Sequence, residues 1–367
     1  MNFDLNEDQR LLRDLVERFV ADHYDPIRRL SYIAEPWGFS RQGWRILAET
    51  GLLALPFSEE HGGLGGGAVE LITVAEALGR GVATEPVLPV ILTAASLVDR
   101  GASDATKAQL LPRIIAGESL PALAHLEPGA RFLATKPQTR VLRRDGQIRI
   151  DGAKSCVMGG GYADILLVTA REENGTPGVY LVDASADGMT RTDYRLVDGS
   201  VASDILFRDV PAILLPQGQA ALEGVLDQAR LAIVAELIGL MGHMFDATVD
   251  YVKTRQQFGQ PIGRFQAVQH RLADGYAMVE LSRSQLYRAA AQNPGTAEAH
   301  AAVVGAKAYI SGCAMKIAEE AVQLHGGIGT TEELMVGQAF KRTMLLAALL
   351  GDADWDLRHY VQLTAAA

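Results

Sequence analysis

Carboxylates stand at two places in the chain where they could take up a proton. In the segment MLLAALLGDADWDLRHY an apolar run ends at Gly351 and is followed by Asp352, Asp354 and Asp356. Glu236 lies within the apolar stretch ARLAIVAELIGLMG. Withdrawal from water disfavours the charged form of a carboxylate, raises its pKa and suits it to act as a general base. A carboxylate at either place could therefore act as a general base.

Structural roles are the alternative for these carboxylates. Polar groups inside helical bundles are usually paired, so Glu236 could instead be a buried acid that bridges two helices. Aspartates near the start of a helix often cap its free backbone N–H groups. Asp354 and Asp356 could have only this role, and for Asp356 we expect it, with the side chain facing solvent.

An arginine in the segment TRQQFGQPIGRFQ has surroundings that suit a phosphate ligand. Arg255 stands near the end of a long predicted helix, just before the glycine and proline that break it, and Gln266 begins the next helix. A guanidinium at such a turn can hold a pyrophosphate through two parallel hydrogen bonds. The alternative is an arginine that only complements the dipole of its own helix.

A cluster of glycines follows Gln323 in the segment QLHGGIGTT. Gly326, Gly327 and Gly329 stand at the predicted end of a helix. Glycines at a helix end permit positive φ or the close approach of another group to the backbone. A glycine-terminated helix without further function is the alternative.

The periodicity of apolar residues divides the chain into three regions that must position these groups. Apolar residues recur at helical spacing before residue 118 and again after 216, where three long helices and a shorter fourth favour an antiparallel bundle. Between them, runs such as DILLVTA and GVYLVDA are typical of short strands of an antiparallel sheet. We expect an α+β protein with an N-terminal helical domain (1–117), a middle antiparallel β domain (118–216) and a C-terminal four-helix bundle (217–367).

Composition excludes several classes of protein. The 367 residues are 48% hydrophobic and 21% charged, as in an ordinary globular protein. The net charge of −10 disfavours nucleic-acid binding, which needs a basic surface. Since we find neither a signal peptide nor about 18 consecutive uncharged apolar residues, we expect no membrane span. The two cysteines, Cys156 and Cys313, are typical of free buried thiols in a reducing compartment, and we expect a cytoplasmic protein.

The segments DYVKTRQQFGQPIGRFQAVQHRLADGYAMVE and EEAVQLHGGIGTTEE resemble the two C-terminal signatures of the acyl-CoA dehydrogenase family. The predicted order of helical, sheet and helical regions is similar to that of the family over essentially the whole chain. The resemblance implies a flavoprotein, of a commonly tetrameric kind, that uses FAD to remove two hydrogens from the α and β carbons of an acyl-CoA thioester. It also implies that the electrons pass to a soluble electron-transfer flavoprotein.

The resemblance also assigns ligands to individual residues. It implies that Arg255, Phe258 and Gln266 contact the adenosine and pyrophosphate portion of FAD across a subunit interface. Residues 323–327 would lie against the FAD of the neighbouring subunit. One chain alone would then complete no flavin site, which implies a homo-oligomer or a heteromer with a related subunit. Arg230 matches the arginine on the first C-terminal helix of the family and is assigned to substrate binding.

The middle region departs from the family pattern near the flavin. Where members show a segment similar to TEPGAGSD, this chain has LEPGARFL and lacks hydroxyl groups at Leu126 and just beyond Ala130. In GAKSCVMGGGYAD, Cys156 takes the place of a tryptophan and Met158 that of a hydroxyl residue facing the flavin. Backbone N–H groups can still bind the flavin ring here. We therefore expect the chain to keep FAD binding more readily than the tuning of the flavin by hydroxyl side chains.

The glutamate that serves as base in the family is missing from both of its usual positions. One branch carries it in a turn after the last core helix, where this chain has Gly351, and the other carries it directly before Arg230, where this chain has Ala229. Asp352 is one residue beyond the first position, and the related nitroalkane oxidases use an aspartate on this fold. Glu236 lies about two helical turns, roughly 10 Å, beyond Ala229 on the same helix face.

Two further hypotheses account for the missing glutamate. The chain could be the non-catalytic subunit of a heteromeric acyl-CoA dehydrogenase whose partner carries the base. It could also be a flavin oxidase or monooxygenase on the same fold.

Overall fold

The order of elements follows the three predicted regions: helices, then strands, then helices. The computed structural model describes residues 5–132 and 136–365. The α+β class and the helix, sheet, helix architecture are confirmed. The domain limits placed at 117 and 216 stay predictions.

Helices form the first region, and local capping signals explain where several begin. Asn6 and Gln9 form a capping box at the first helix, and Ser40 and Ser103 cap the third and the sixth. A π-helix at Val87–Ala95 leads directly into the fifth helix. The helices are α1 (Glu7–His23), α2 (Pro26–Ala34), α3 (Arg41–Glu49), α4 (Ala68–Arg80), α5 (Ser96–Gly101) and α6 (Asp104–Ile115).

The middle region is an eight-stranded sheet. Its strands are β1 (Pro121–Ala124), β2 (Arg140–Arg144), β3 (Gln147–Met158), β4 (Ile165–Arg171), β5 (Pro177–Asp183), β6 (Met189–Arg195), β7 (Val201–Pro211) and β8 (Ile213–Leu214). The strand order is β6-β7-β3-β2-β4-β5-β8, and β1 also pairs with β4. Most pairs are antiparallel, as predicted, but β4 runs parallel to both β1 and β2. The sheet is therefore mixed, because strands joined by longer connections can pair in parallel.

The sheet has its own apolar core. Ile150, Val168, Tyr180 and Phe207 are buried in one cluster. Strand β4 is buried along its first six residues, which is typical of a strand covered on both faces. This core fixes the position of β3, which carries the candidate flavin residues of the middle region.

The C-terminal region contains the four predicted helices and one more. These are α7 (Gly218–Thr254), α8 (Gln266–Ala290), α9 (Ala297–His325) and α10 (Met335–Ala348), followed by α11 (Ala353–Ala365). A short hairpin of β9 (Gln256–Gln257) and β10 (Gln260–Pro261) connects α7 to α8. The aspartates of GDADWD stand where α11 begins.

Two segments of this region are long and apolar enough to cross a membrane, namely α7 and Ala297–Thr330. Their most apolar windows are 72% and 61% buried in the fold. The core helices of folded domains have the same length and composition, so two such helices are weak evidence for a membrane span.

The chain forms two compact units, each built from separate parts of the sequence. The C-terminal unit contains Met1–Ser31, Ala68–Ala83 and Arg230–Ala367. The sheet unit contains Tyr32–Gly67 and Thr84–Ala229. The candidate bases belong to the C-terminal unit, and β3 belongs to the sheet unit.

Candidate active site

The turn between α10 and α11 places Asp352 at the start of a helix. Leu350 and Gly351 have positive φ angles of 61° and 138°. Asp352 Oδ1 accepts a hydrogen bond from Trp355 N at 2.8 Å, and its carbonyl oxygen accepts one from Asp356 N at 2.9 Å. The side chain is half-buried. Asp352 therefore caps α11 and remains partly accessible.

Asp356 does not face solvent, and the expectation from the sequence was wrong. Its side chain is 1% exposed, and its Oδ2 lies 3.1 Å from Nζ of the fully buried Lys307 in α9. The same Nζ donates a hydrogen bond to the carbonyl oxygen of Gly351 at 2.5 Å. Helical spacing shows that Asp356 lies in the first turn of α11, but it does not show that this face packs on a lysine of another helix.

Burial dominates the electrostatics of this pair. It raises the pKa of Asp356, although the charges of Lys307, Arg230 and His359 oppose the rise. Burial also lowers the pKa of Lys307, which Asp356 and Asp352 oppose and Arg230 reinforces. Arg230 and Asp352, the residues predicted for substrate binding and for proton transfer, thus act on the same buried ion pair.

No role was predicted for Lys307 from the sequence. It is the single lysine or arginine in the largely apolar segment AHAAVVGAKAYISG. A buried ammonium requires a partner, so the isolation of this lysine was the available signal, although it does not identify Asp356.

Glu236 forms an ion pair between α7 and α10. Its Oε1 accepts a hydrogen bond from Arg342 Nε at 2.7 Å, and the two side chains are 10% and 12% exposed. This arrangement is the buried bridging acid considered as the alternative for Glu236. The carboxylate of Glu236 is thus bound within the helical bundle, and its role as a base stays a prediction.

Two of the candidate FAD segments meet at one end of the C-terminal unit. The rings of Tyr251 in α7 and His325 in α9 stack with centroids 4.4 Å apart. Arg255 follows Tyr251 by one helical turn, and Gly326 follows His325 directly. The structure therefore brings the Arg255 segment close to the 323–327 segment, although they are distant in sequence.

The side chains predicted to contact FAD are exposed here. Arg255, Gln266 and Gln323 lie at the surface, and Gln266 begins α8 as predicted. Phe258 is 91% exposed in the turn of the β9–β10 hairpin, where its φ is 52°. This exposure makes the side chains available to a ligand or a neighbouring subunit, and their FAD contacts stay predictions.

The glycines of the 323–327 segment fit a close approach of FAD. A Cβ added to Gly326 or Gly327 would meet no atom of the described residues within 4 Å. Gly326 has a positive φ of 69°, which favours glycine, whereas Gly327 does not have a positive φ. Neither the backbone conformation nor a contact within the described residues requires a glycine at 327. A residue without a side chain at this place suits a surface against which a nucleotide packs.

Cys156 and Met158 lie on β3, beside a shift in its register with β7. Cys156 has a φ of 50°, and its N–H donates to Asp204 Oδ1 at 3.0 Å. This N–H, one of those expected to bind the flavin ring, is therefore used within the sheet. Burial raises the pKa of the Cys156 thiol. Cys156 and Cys313 are free, but they are half-buried rather than fully buried as expected.

Glu127 and Lys154 form a buried polar centre that the sequence did not reveal as a pair. Lys154 Nζ donates to Glu127 Oε1 at 2.7 Å and to Thr169 Oγ1 at 2.9 Å. The Glu127 carboxylate also accepts the hydroxyl of Thr139 at 2.7 Å and the backbone N–H of Gln138 at 2.6 Å. The available signal was a lysine inside a strand, which needs a buried partner.

This centre holds the LEPGARFL segment to β3. Burial would raise the pKa of Glu127, but the hydrogen bonds from Lys154, Thr139 and Gln138 together lower it. Burial lowers the pKa of Lys154 to about 8. Ser155 N donates to the carbonyl oxygen of Leu126 at 3.0 Å and adds a backbone link. The last residue of the segment, at position 133, lies outside the described residues.

Family models match almost the whole chain. They are the N-terminal domain of acyl-CoA dehydrogenase over residues 6–118, the middle domain over 122–210 and the C-terminal domain over 217–361.

Individual relatives agree with these matches. The probable acyl-CoA dehydrogenase YngJ of Bacillus subtilis (strain 168) is 30% identical over an alignment covering 98% of each chain. A variant of the Tcur3481-Tcur3483 steroid ACAD has a solved structure with a TM-score of 0.90, 30% identity and 98% coverage of each chain. A chain of the ChsE4-ChsE5 complex from Mycobacterium tuberculosis gives a TM-score of 0.89 and 26% identity, with both chains fully covered. The chain therefore belongs to the acyl-CoA dehydrogenase family of FAD-dependent oxidoreductases.

Proposed function

We propose that this chain catalyses the FAD-dependent α,β-dehydrogenation of an acyl-CoA thioester, with Asp352 as the base. The electrons would pass to a soluble electron-transfer flavoprotein. The enzyme would act in the cytoplasm, as a homo-oligomer or together with a related subunit. Family membership supports the reaction class.

The placement of Asp352 is the observation that carries this proposal. Asp352 directly follows Gly351, the position aligned with the glutamate of one branch of the family. It is half-buried in a turn whose backbone is bound by Lys307. Of the two candidates, Asp352 is the one that lies directly beside a usual position of the family's base, whereas Glu236 lies seven residues beyond Ala229.

The proposed reaction removes one proton and one hydride. A carboxylate oxygen of Asp352 accepts the proton from the α-carbon, and the electron pair of that C–H bond forms the new double bond. Bound FAD would take up the hydride from the β-carbon and supply the oxidising power. Arg230 would bind the substrate, and Arg255 with residues 323–327 would hold FAD of the neighbouring subunit.

Anaerobic mixing of the purified flavoprotein with a panel of acyl-CoAs tests the proposal. Wild type should bleach with at least one of them, and Asp352→Asn should bleach at least about 10²-fold more slowly, the usual minimum for loss of a positioned base. Acyl-CoA affinity should change little, because asparagine has nearly the same size.

Glu236→Gln is the matched control. It breaks the buried pair with Arg342, so we expect a loss of folding stability of about 3–5 kcal/mol with a smaller effect on the bleaching rate. A larger rate loss in Glu236→Gln than in Asp352→Asn would indicate that Glu236 is the base. Bleaching of Asp352→Asn at the wild-type rate would contradict the proposal.

A second candidate function is the non-catalytic subunit of a heteromeric enzyme. The absence of a carboxylate at both Ala229 and Gly351 favours it, as do relatives named as the pair Tcur3481-Tcur3483 and the complex ChsE4-ChsE5. Under this alternative the chain would bind FAD without bleaching. Activity would then appear only after a related subunit with an intact glutamate is added.

A further inference from the structure

A buried lysine binds the base turn, defined as residues 350–352. Nζ of Lys307 is bound to the carbonyl oxygen of Gly351 at 2.5 Å and to Asp356 Oδ2 at 3.1 Å. Asp356 N in turn donates to the carbonyl oxygen of Asp352. A single ammonium thus fixes the backbone before Asp352 and the side chain four residues after it.

The base turn cannot relax into an ordinary loop without losing these contacts. Leu350 has a φ of 61°, a region that a branched side chain adopts only when the surroundings impose it. Gly351 has a φ of 138°, and a Cβ there would lie 2.8 Å from Asp356 Cγ. Any side chain at residue 351, including a glutamate, would therefore collide with the carboxylate that Lys307 binds.

A buried ion pair is a costly way to join two helices. Apolar residues of similar volume often give equal or greater stability, because they require no desolvation of charge. Lys307 and Asp356 are 0% and 1% exposed, so both charges bear this cost. Fixing the conformation of the turn is a role that an apolar pair could not perform, since it offers no donor to the Gly351 carbonyl.

We infer that Lys307, together with Asp356, is a positioning residue that aims the Asp352 carboxylate by holding the base turn. This inference rests on the proposed role of Asp352 as the base. It also explains why the carboxylate stands at 352 in this chain: the Lys307–Asp356 pair occupies the space that a side chain at 351 would need.

The test replaces the pair without leaving a buried charge alone. In Lys307→Met/Asp356→Leu both charges are removed and the volume is approximately kept, so the chain should remain folded. Bleaching at saturating acyl-CoA should slow by roughly 10- to 100-fold, as expected for a misplaced catalytic group, while acyl-CoA affinity stays within about twofold. Backbone hydrogen exchange in residues 349–357 should become faster, because the bond to Gly351 is lost.

Arg283→Met/Glu76→Leu is the control. This pair joins α8 to α4 at 2.8 Å, so its replacement removes an ion pair from the same unit and leaves the base turn untouched. Its bleaching rate and the exchange of residues 349–357 should match wild type.

The outcomes separate the inference from the proposed function. If wild type does not bleach, or if Asp352→Asn bleaches normally, the proposed function fails and the inference fails with it. If Asp352→Asn is inactive but Lys307→Met/Asp356→Leu bleaches and exchanges like wild type, Asp352 remains the base and the positioning role is refuted. A slowed rate with unchanged exchange at 349–357 would also refute it.

Discussion

Two lysines, Lys154 and Lys307, are buried beside carboxylates, and burial lowers the pKa of both. Each binds one carboxylate and one further oxygen: the hydroxyl of Thr169 for Lys154 and the carbonyl of Gly351 for Lys307. Since buried ion pairs are weak sources of stability, we expect both lysines to serve mainly in fixing local conformation.

Lys154 should make the free energy of unfolding depend on pH. Its pKa is about 8 in the folded chain against an ordinary value of 10.5. Between these values the unfolded chain holds a proton that the folded chain has released, so stability rises with pH. From pH 8 to pH 9.5, wild type should gain about 1.5 kcal/mol of unfolding free energy relative to Lys154→Met.

Urea unfolding of both proteins across this pH range measures the difference. Lys253→Met, which removes a lysine exposed at the end of α7, is the surface control. A difference between wild type and Lys154→Met that stays constant with pH would contradict the lowered pKa of the buried lysine.

At the scale of elements, α11 explains why aspartates gather after Gly351. Asp352 supplies the N-cap, Asp354 is exposed in the first turn and Asp356 faces α9. Negative side chains at this end of a helix interact favourably with its dipole. The cluster therefore has a structural role in beginning the helix, and Asp352 combines that role with the proposed chemistry.

The two roles of Asp352 can be separated by substitution. Asparagine is as good an N-cap as aspartate, whereas alanine cannot accept the bond from Trp355 N. Asp352→Ala should therefore lose about 0.5–2 kcal/mol of unfolding free energy, and Asp352→Asn should lose little. Chemical denaturation followed by circular dichroism measures both. Equal stability of the two variants would show that the cap contributes nothing.

At the scale of the whole molecule, the candidate FAD contacts of the C-terminal unit lie on its surface. The stacking of Tyr251 on His325 brings two exposed segments together. One carries Arg255 and Phe258, and the other carries the glycines 326 and 327. The resemblance to the family implies that a neighbouring chain completes the site. We therefore expect at least a dimer in solution.

Arg255→Ala should weaken FAD retention by roughly tenfold or more. Each charge-assisted hydrogen bond is worth about 1.5–3 kcal/mol, and 1.4 kcal/mol is about a factor of ten in affinity. Flavin titration of the deflavinated protein, with mass determined by light scattering, measures this effect. Arg264→Ala is the matched control, because Arg264 is an exposed arginine in the same segment. Equal FAD affinity in the two variants, or a monomer that retains full flavin, would contradict the shared site.

The sequence by itself determined the order of helices and strands and the family, and the resemblance assigned segments to FAD that stay predictions. These depend on local information: apolar periodicity, turn residues and contiguous signatures such as QLHGGIGTT. It also made Asp352 a candidate base, because that residue directly follows the position aligned with the family's glutamate. Parallel pairing of β4 with β1 and β2 was not visible, since strand patterns do not encode which strands become neighbours.

Only the tertiary structure decided which charges are paired. Glu236 meets Arg342, Asp356 meets Lys307, and Glu127 meets Lys154, and in each pair the partners are distant in sequence. Periodicity tells which face of a helix is apolar, but the partner of a buried charge depends on how distant elements pack. That packing places Asp356, which the sequence predicted to be a surface cap, in a buried ion pair beside the base turn.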